Sequence, residues 1–138
     1  MSKLILVEDD EDDIYFFKNA CRREAVEVEI VILNDGSELL DYIDANNCTS
    51  DLIMLDLNMP KVGGIEVLTR LKSSGLVYPL NVIVYTTSAR KTDVEQAYRL
   101  GAKSFIQKPN SQEQLNFLIR SVYVYWFEFN LLLRKPQV

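Results

Sequence analysis

Residues 51–60 read Asp51-Leu52-Ile53-Met54-Leu55-Asp56-Leu57-Asn58-Met59-Pro60. The run Asp51–Leu55 is almost wholly apolar, which suits a short strand covered on both faces, and such strands belong to parallel sheets. It delivers a carboxylate, Asp56, at its carboxyl end. Taken alone, an Asp after a strand is often only a turn former or helix cap. What decides its meaning is which other residues reach the same edge.

Working outward, four further runs are predicted strands: Lys3–Val7 (KLILV), Val28–Leu33 (VEIVIL), Asn81–Tyr85 (NVIVY) and Ser104–Gln107 (SFIQ). Between and after them lie helical patterns carrying Ile14, Phe17 and Cys21; then Leu39, Leu40 and Ile43; Ile65, Leu68 and Leu71; Val94, Ala97 and Tyr98; and Leu115, Leu118, Ile119 and Val122. Ser111 precedes Gln114 at capping-box spacing, and Gly75 and Gly101 stand where the third and fourth helices should end. Strand-helix alternation of this kind predicts an α/β fold, a doubly wound five-stranded parallel sheet with five helices and right-handed crossovers. Ligands of such sheets bind beyond the carboxyl ends of the strands.

The first strand runs straight into Glu8-Asp9-Asp10-Glu11-Asp12-Asp13, the third delivers Asp56, the fourth ends at Thr86-Thr87-Ser88, and the fifth leads to Lys108-Pro109. An acidic run is usually a solvated surface, and Thr86 can simply continue a β-prone strand. Their placement at the same end of the predicted strands argues for a site. Clustered carboxylates repel one another unless a cation compensates, and oxygen-only donors beside solvent suit a hard divalent ion, with Mg²⁺ the natural choice. Mg²⁺, a lysine and a hydroxyl around one free carboxylate suit a transferring phosphoryl group, with that carboxylate as nucleophile and an aspartyl phosphate as product. Asp56 is the candidate.

Composition agrees with one globular domain: 138 residues, 48% hydrophobic and 25% charged, with a net charge of −5 that argues against a nucleic-acid partner. No histidine is present, which excludes Ser-His-Asp and Cys-His chemistry and a phosphohistidine donor role. Cys21 and Cys48 match no metal spacing and read as free thiols of a reducing compartment. The start of the chain does not read as a signal peptide. The apolar stretch 122–133 is broken by Glu128 and Asn130 and falls short of the ~20 residues of a membrane span. The expectation is a cytoplasmic protein without a membrane partner.

These residues closely resemble the receiver domain of bacterial response regulators, over about Lys3 to Trp126. The segments that carry the resemblance are LILVEDDEDD, NDGSELLDYI, DLIMLDLNMPKVGG, NVIVYTTSA and AYRLGAKSFIQKP. It implies the flavodoxin-like strand order 2-1-3-4-5 and a phosphoryl group received on Asp56 from a sensor histidine kinase. It further implies Mg²⁺ held by Asp9 directly, Glu8 through water, Asp56, and the backbone carbonyl of Asn58. Thr86 and Lys108 would pair with the phosphoryl oxygens, with a cis Lys108–Pro109 bond aiming the ammonium. Phe105 takes the place of the switch aromatic, usually Tyr, and turns inward when Thr86 moves. Asp10 receives no role. Gly63-Gly64 replaces an acidic residue usual before the glycine, which predicts a looser loop after the third strand.

Residues 122–133 are rich in aromatics. Leu118, Val122 and Trp126 suit the core, leaving Tyr123, Phe127, Phe129 and Leu131–Leu133 as too many for one buried stripe. Apolar surface of that extent marks an interface. The expected organisation is a receiver domain over 1–127 and a dimer-forming tail over 128–138. The YWFE-type ending resembles stand-alone regulators associated with bacterial phytochrome kinases, which implies such a kinase as partner and a homodimer through the end helix. An unphosphorylated dimeric adaptor is disfavoured by the full acceptor set. A haloacid-dehalogenase-type phosphatase would want Asp at position 58, which is Asn. A flavin carrier would need a Gly-rich phosphate loop after the first strand, where the chain is densely anionic.

Overall fold

The computed structural model describes residues 2–132. The elements alternate as β1 (Lys3–Val7), α1 (Glu11–Arg23), β2 (Glu29–Leu33), α2 (Gly36–Ala45), β3 (Leu52–Leu55), α3 (Gly64–Ser73), β4 (Asn81–Thr86), α4 (Lys91–Arg99), β5 (Ser104–Gln107) and α5 (Gln112–Tyr123). All four strand pairings are parallel, in the order β2-β1-β3-β4-β5. β3 begins one residue later than its apolar run because Asp51 is engaged otherwise. Its carboxylate accepts the Lys3 N–H at 2.8 Å and its carbonyl accepts Asn81 Nδ2 at 3.1 Å.

β3 and β4 are buried throughout, as is β1 after Lys3, and their side chains divide by parity. Leu4, Leu6, Leu52, Met54, Ile83 and Tyr85 face α1 and α5, where Phe17, Ala20, Cys21, Leu115 and Ile119 meet them. Ile5, Val7, Ile53, Leu55, Val82 and Val84 face α2, α3 and α4, against Leu39, Ile43, Val67, Leu68, Leu71 and Ala97. Each fully buried Leu, Ile or Val contributes roughly 1.5–3 kcal/mol. The two cores hold the central strands rigidly and leave their carboxyl ends in line.

The helix ends follow the predicted signals. Ser111 Oγ accepts the Gln114 N–H at 3.1 Å. Gly75 (φ 76°) and Gly101 (φ 103°) take the left-handed conformation that closes α3 and α4. Tyr98 departs from its expected core position. It lies on the exposed side of α4, where its phenol oxygen accepts the Phe105 N–H at 3.1 Å along the free edge of β5.

Beyond Tyr123 the last helix continues in wider, π-type turns over Val124–Phe129, across the expected boundary between 127 and 128. An i→i+5 turn advances the side chains differently from an α turn, so Trp126 and Phe127 both pack against the α1/α5-side core. Phe127 is therefore half-buried and stacks on Tyr123, ring centroids 6.1 Å apart. Phe129 and Leu131 are exposed, and so are Phe117 and Tyr125. Residues 133–138 of the expected tail lie outside the described residues. Among the described residues no helix is long and apolar enough to cross a membrane.

Candidate functional site

The site is built where the strands stop. Glu8, Asp56 and Lys108 are each the first residue past a strand, and each is still held by the neighbouring one. The Glu8 N–H donates to the Leu33 carbonyl at 2.9 Å, Asp56 N–H to Val7 at 3.2 Å and Lys108 N–H to Thr86 at 2.7 Å. Their even parity continues that of Leu6, Met54 and Ile106, so the three side chains rise on the α1/α5 side of the sheet edge. Gly64 lets α3 start against this edge. A Cβ there would lie 2.5 Å from the Asp56 carbonyl oxygen and 2.7 Å from Leu57 Cα. Gly63 meets no such restriction: its φ of −74° is open to any residue, and the loop is closed by the Gly64 N–H on the Leu57 carbonyl at 3.1 Å.

The Lys108 side chain is 7% exposed, and its ammonium pairs with Glu8, with Asp13 at 2.9 Å and with Asp56 at 3.4 Å. It also stands 5.6 Å from the centre of the Tyr85 ring. Burial works against its charge, but the hydrogen bonds to Glu8 and Asp13 and the charge of Asp56 outweigh it and hold Lys108 above the ordinary lysine value. Glu8 is 1% exposed, and burial pushes its carboxyl up to about 7. The Lys108 hydrogen bond opposes that shift and the Asp56 charge adds to it. The Lys108–Pro109 bond is trans, contrary to expectation. Trans is the favoured form of an X–Pro bond, and the ladder bond from Lys108 to Thr86 already brings the side chain over the edge.

Glu8, Asp9 and Asp56 each offer a carboxylate oxygen, all within 4.8 Å of one another. One ammonium does not balance this group, and a hard divalent cation fits its all-oxygen donors. Asn58 follows two residues after Asp56 and donates its N–H to Asp56 Oδ1 at 3.3 Å. Thr86 is fully buried, yet its Oγ1 has no hydrogen-bond partner, a condition it shares among the described residues only with Trp126 Nε1. Leaving a buried polar group unpaired costs about 1–3 kcal/mol. Here it keeps a donor free at the end of β4. Phe105 pairs with Val84 across β4 and β5 and packs half-buried against the α2–α4-side core. Thr86 is two residues past Val84, so Thr86 and Phe105 emerge on the same face of the sheet.

One contributor was not singled out in the sequence, and a residue left without a role there acquires one. Asp13 was one of six consecutive acidic residues, and nothing in the run distinguished it. Asp10 turns out to cap α1, its Oδ1 accepting the Asp13 N–H at 3.0 Å.

The family model of the response regulator receiver domain matches residues 4–120. The chain belongs to this family. Its members take phosphoryl groups from sensor histidine kinases and bind divalent metal. Among its relatives is the probable methanogenesis regulatory protein FilR2 of Methanothrix harundinacea, 32% identical over 92% of this chain and 84% of that protein. Among solved structures, the phosphorylated cyanobacterial phytochrome response regulator RcpA superposes with a TM-score of 0.82 at 32% identity, covering 94% of this chain and 96% of RcpA. The Mn²⁺-bound response regulator Rcp1, a protein of Synechocystis, gives 0.80 at 27% identity, covering 95% of this chain and 98% of Rcp1. The receiver fold and the family function stand on these matches together with the strand order.

Proposed function

We propose that this receiver domain takes its phosphoryl group on Asp56 and holds Mg²⁺ on Glu8, Asp9, Asp56 and the Asn58 carbonyl. The observation that carries the reading is the Asp56 carboxylate itself. It is buried at the sheet edge with Lys108 Nζ 3.4 Å from Oδ2 and two further acids within 4.8 Å. An Asp56 oxygen attacks phosphorus in line as the P–N bond of a phosphohistidine breaks, and the electron pair returns to the imidazole nitrogen. Lys108 meets the charge on the equatorial oxygens, and the free hydroxyl of Thr86 donates to one of them. Mg²⁺ held there would offset the carboxylate repulsion and the phosphoryl charge.

The message leaves through the α4/β5 face. When Thr86 Oγ1 turns toward the phosphoryl group, the space it gives up lies on the face that Phe105 shares, and Phe105 turns inward. In this reading the chain works in the cytoplasm and its donor is a sensor histidine kinase of the bacterial phytochrome type, in keeping with RcpA being a phytochrome response regulator. The receiver spans 1–127, and 128–138 form a dimerising tail. Exposed Phe117, Tyr125 and Phe129 on the last helix, and Leu131 just past it, support a homodimer through that end.

The test is intact mass measurement after incubation with acetyl phosphate, with and without Mg²⁺, of wild type and Asp56→Asn. One phosphoryl adduct is expected on the wild type, only with metal, and none on the variant. Equal labelling of the two proteins would refute the assignment.

A further inference from the structure

Three carboxylates meet the Lys108 ammonium: those of Glu8, Asp13 and Asp56. Three form the candidate metal group: those of Glu8, Asp9 and Asp56. Asp13 separates the two sets, since it touches the lysine and stands outside the metal group. It is placed for this by the first turn of α1, where Asp10 caps its N–H. Its side chain is 36% exposed, against 1% for Glu8 and 7% for Asp56. Together with Phe16, Tyr85, Asn110 and Gln112 it lines a cavity of about 300 Å³ that opens beside Lys108.

We infer that Asp13 is a positioning residue that holds Lys108 toward α1 and is exchanged for phosphoryl oxygens when Asp56 is phosphorylated. The inference rests on the phospho-acceptor reading of the site. An ammonium has three donor hydrogens, and here each has a carboxylate to meet. A phosphoryl group on Asp56 adds three acceptor oxygens and further negative charge. Lys108 pairs with them only by giving up a partner. Glu8 and Asp56 are buried, and stripping either of its cation leaves an uncompensated buried charge. Asp13 is the most exposed of the three, and its carboxylate can turn to water at little cost. It is therefore the partner released. While in place it competes for the lysine and weakens the hold on an anionic phosphodonor.

The test uses the full chain at fixed Mg²⁺ and reads initial labelling rate against acetyl phosphate concentration, by intact mass. In Asp13→Asn the half-saturating concentration falls roughly three- to ten-fold, through loss of a nearby charge and release of the lysine. Asp12→Asn removes the same charge from the same turn, at an exposed residue outside Lys108's set of partners, and gives a clearly smaller fall. Asp13→Glu stays near wild type, and Asp13→Ser serves as a second neutral variant. In a Lys108→Met background, read by binding of beryllofluoride so that slow chemistry does not matter, Asp13→Asn gives no more than the small charge effect of Asp12→Asn. Equal half-saturation in Asp13→Asn and wild type, an equal fall in Asp12→Asn, or an Asp13→Asn effect that exceeds that of Asp12→Asn without Lys108 would each overturn the inference. A wild type that takes up no phosphoryl group overturns the acceptor reading and this inference with it.

Discussion

Lys108 Nζ lies 3.4 Å from Asp56 Oδ2, joining the end of β5 to the end of β3 over the intervening end of β4. The same ammonium compensates Glu8, so the folded chain depends on it before any phosphoryl group arrives. Lys108→Met leaves both buried carboxylates unpaired and should lower unfolding free energy by about 3–5 kcal/mol, measured by urea denaturation at neutral pH. Excess Mg²⁺ should restore part of the loss, because a ligand that binds only the folded chain stabilises it. An unchanged urea midpoint would show that Lys108 is not the counter-charge described.

Thr86 makes the opposite prediction for stability. Its hydroxyl is buried without a partner. Thr86→Val keeps the shape and removes the unpaired group, so stability should rise, by about 1 kcal/mol. Beryllofluoride should then no longer move the amide resonances of β5 around Phe105. A variant that is less stable, or that switches normally, would contradict the role given to that hydroxyl.

The two thiols should be inert. Burial pushes Cys21 up to about 12 and, with Asp51 adding to it, Cys48 up to about 11. Since the thiolate is the reactive form, both stay neutral at pH 8 and become reactive only as pH nears those values. Labelling of the native chain by a disulfide reagent at pH 8 should be slower than that of the urea-unfolded chain by roughly 100-fold or more. Rapid labelling of either thiol in the native chain would contradict the burial.

For the carboxyl end, Phe129 is the better probe than Phe127. Phe129 is 73% exposed, whereas Phe127 packs half-buried against the core. Phe129→Lys should leave the melting curve near wild type and shift the solution mass toward monomer. Phe127→Lys should lower stability as well. A Phe129→Lys protein with the wild-type mass would remove this face from the interface.

The strand-end residues were legible because strands buried on both faces read as unbroken apolar runs, and the residue ending each run must stand at the sheet edge. Glu8, Asp56 and Thr86 follow from that, whereas Lys108 follows the short, half-buried edge strand SFIQ and was legible through the Lys-Pro pair and the family resemblance. Asp13 did not, because its contact depends on how the Asp10 cap orients the first turn of α1, and neighbouring acids in a run look alike. Phe127 was read as exposed because helical spacing assumes α turns, and the wider turns over Val124–Phe129 bring it round to the core. Tyr98 fits the apolar spacing of α4, but its hydroxyl is better satisfied by the free N–H of Phe105 on the edge strand.

Asp56's role is tested most directly by trapping the product. Borohydride reduces the acyl phosphate of an aspartyl phosphate to the alcohol, so the acceptor becomes homoserine. The chain would be treated with acetyl phosphate and Mg²⁺, then borohydride, and its peptides sequenced by mass spectrometry. Homoserine is predicted at position 56 and at no other carboxylate. Homoserine at Asp9, Asp10 or Asp13, with Asp56 intact, would contradict the assignment.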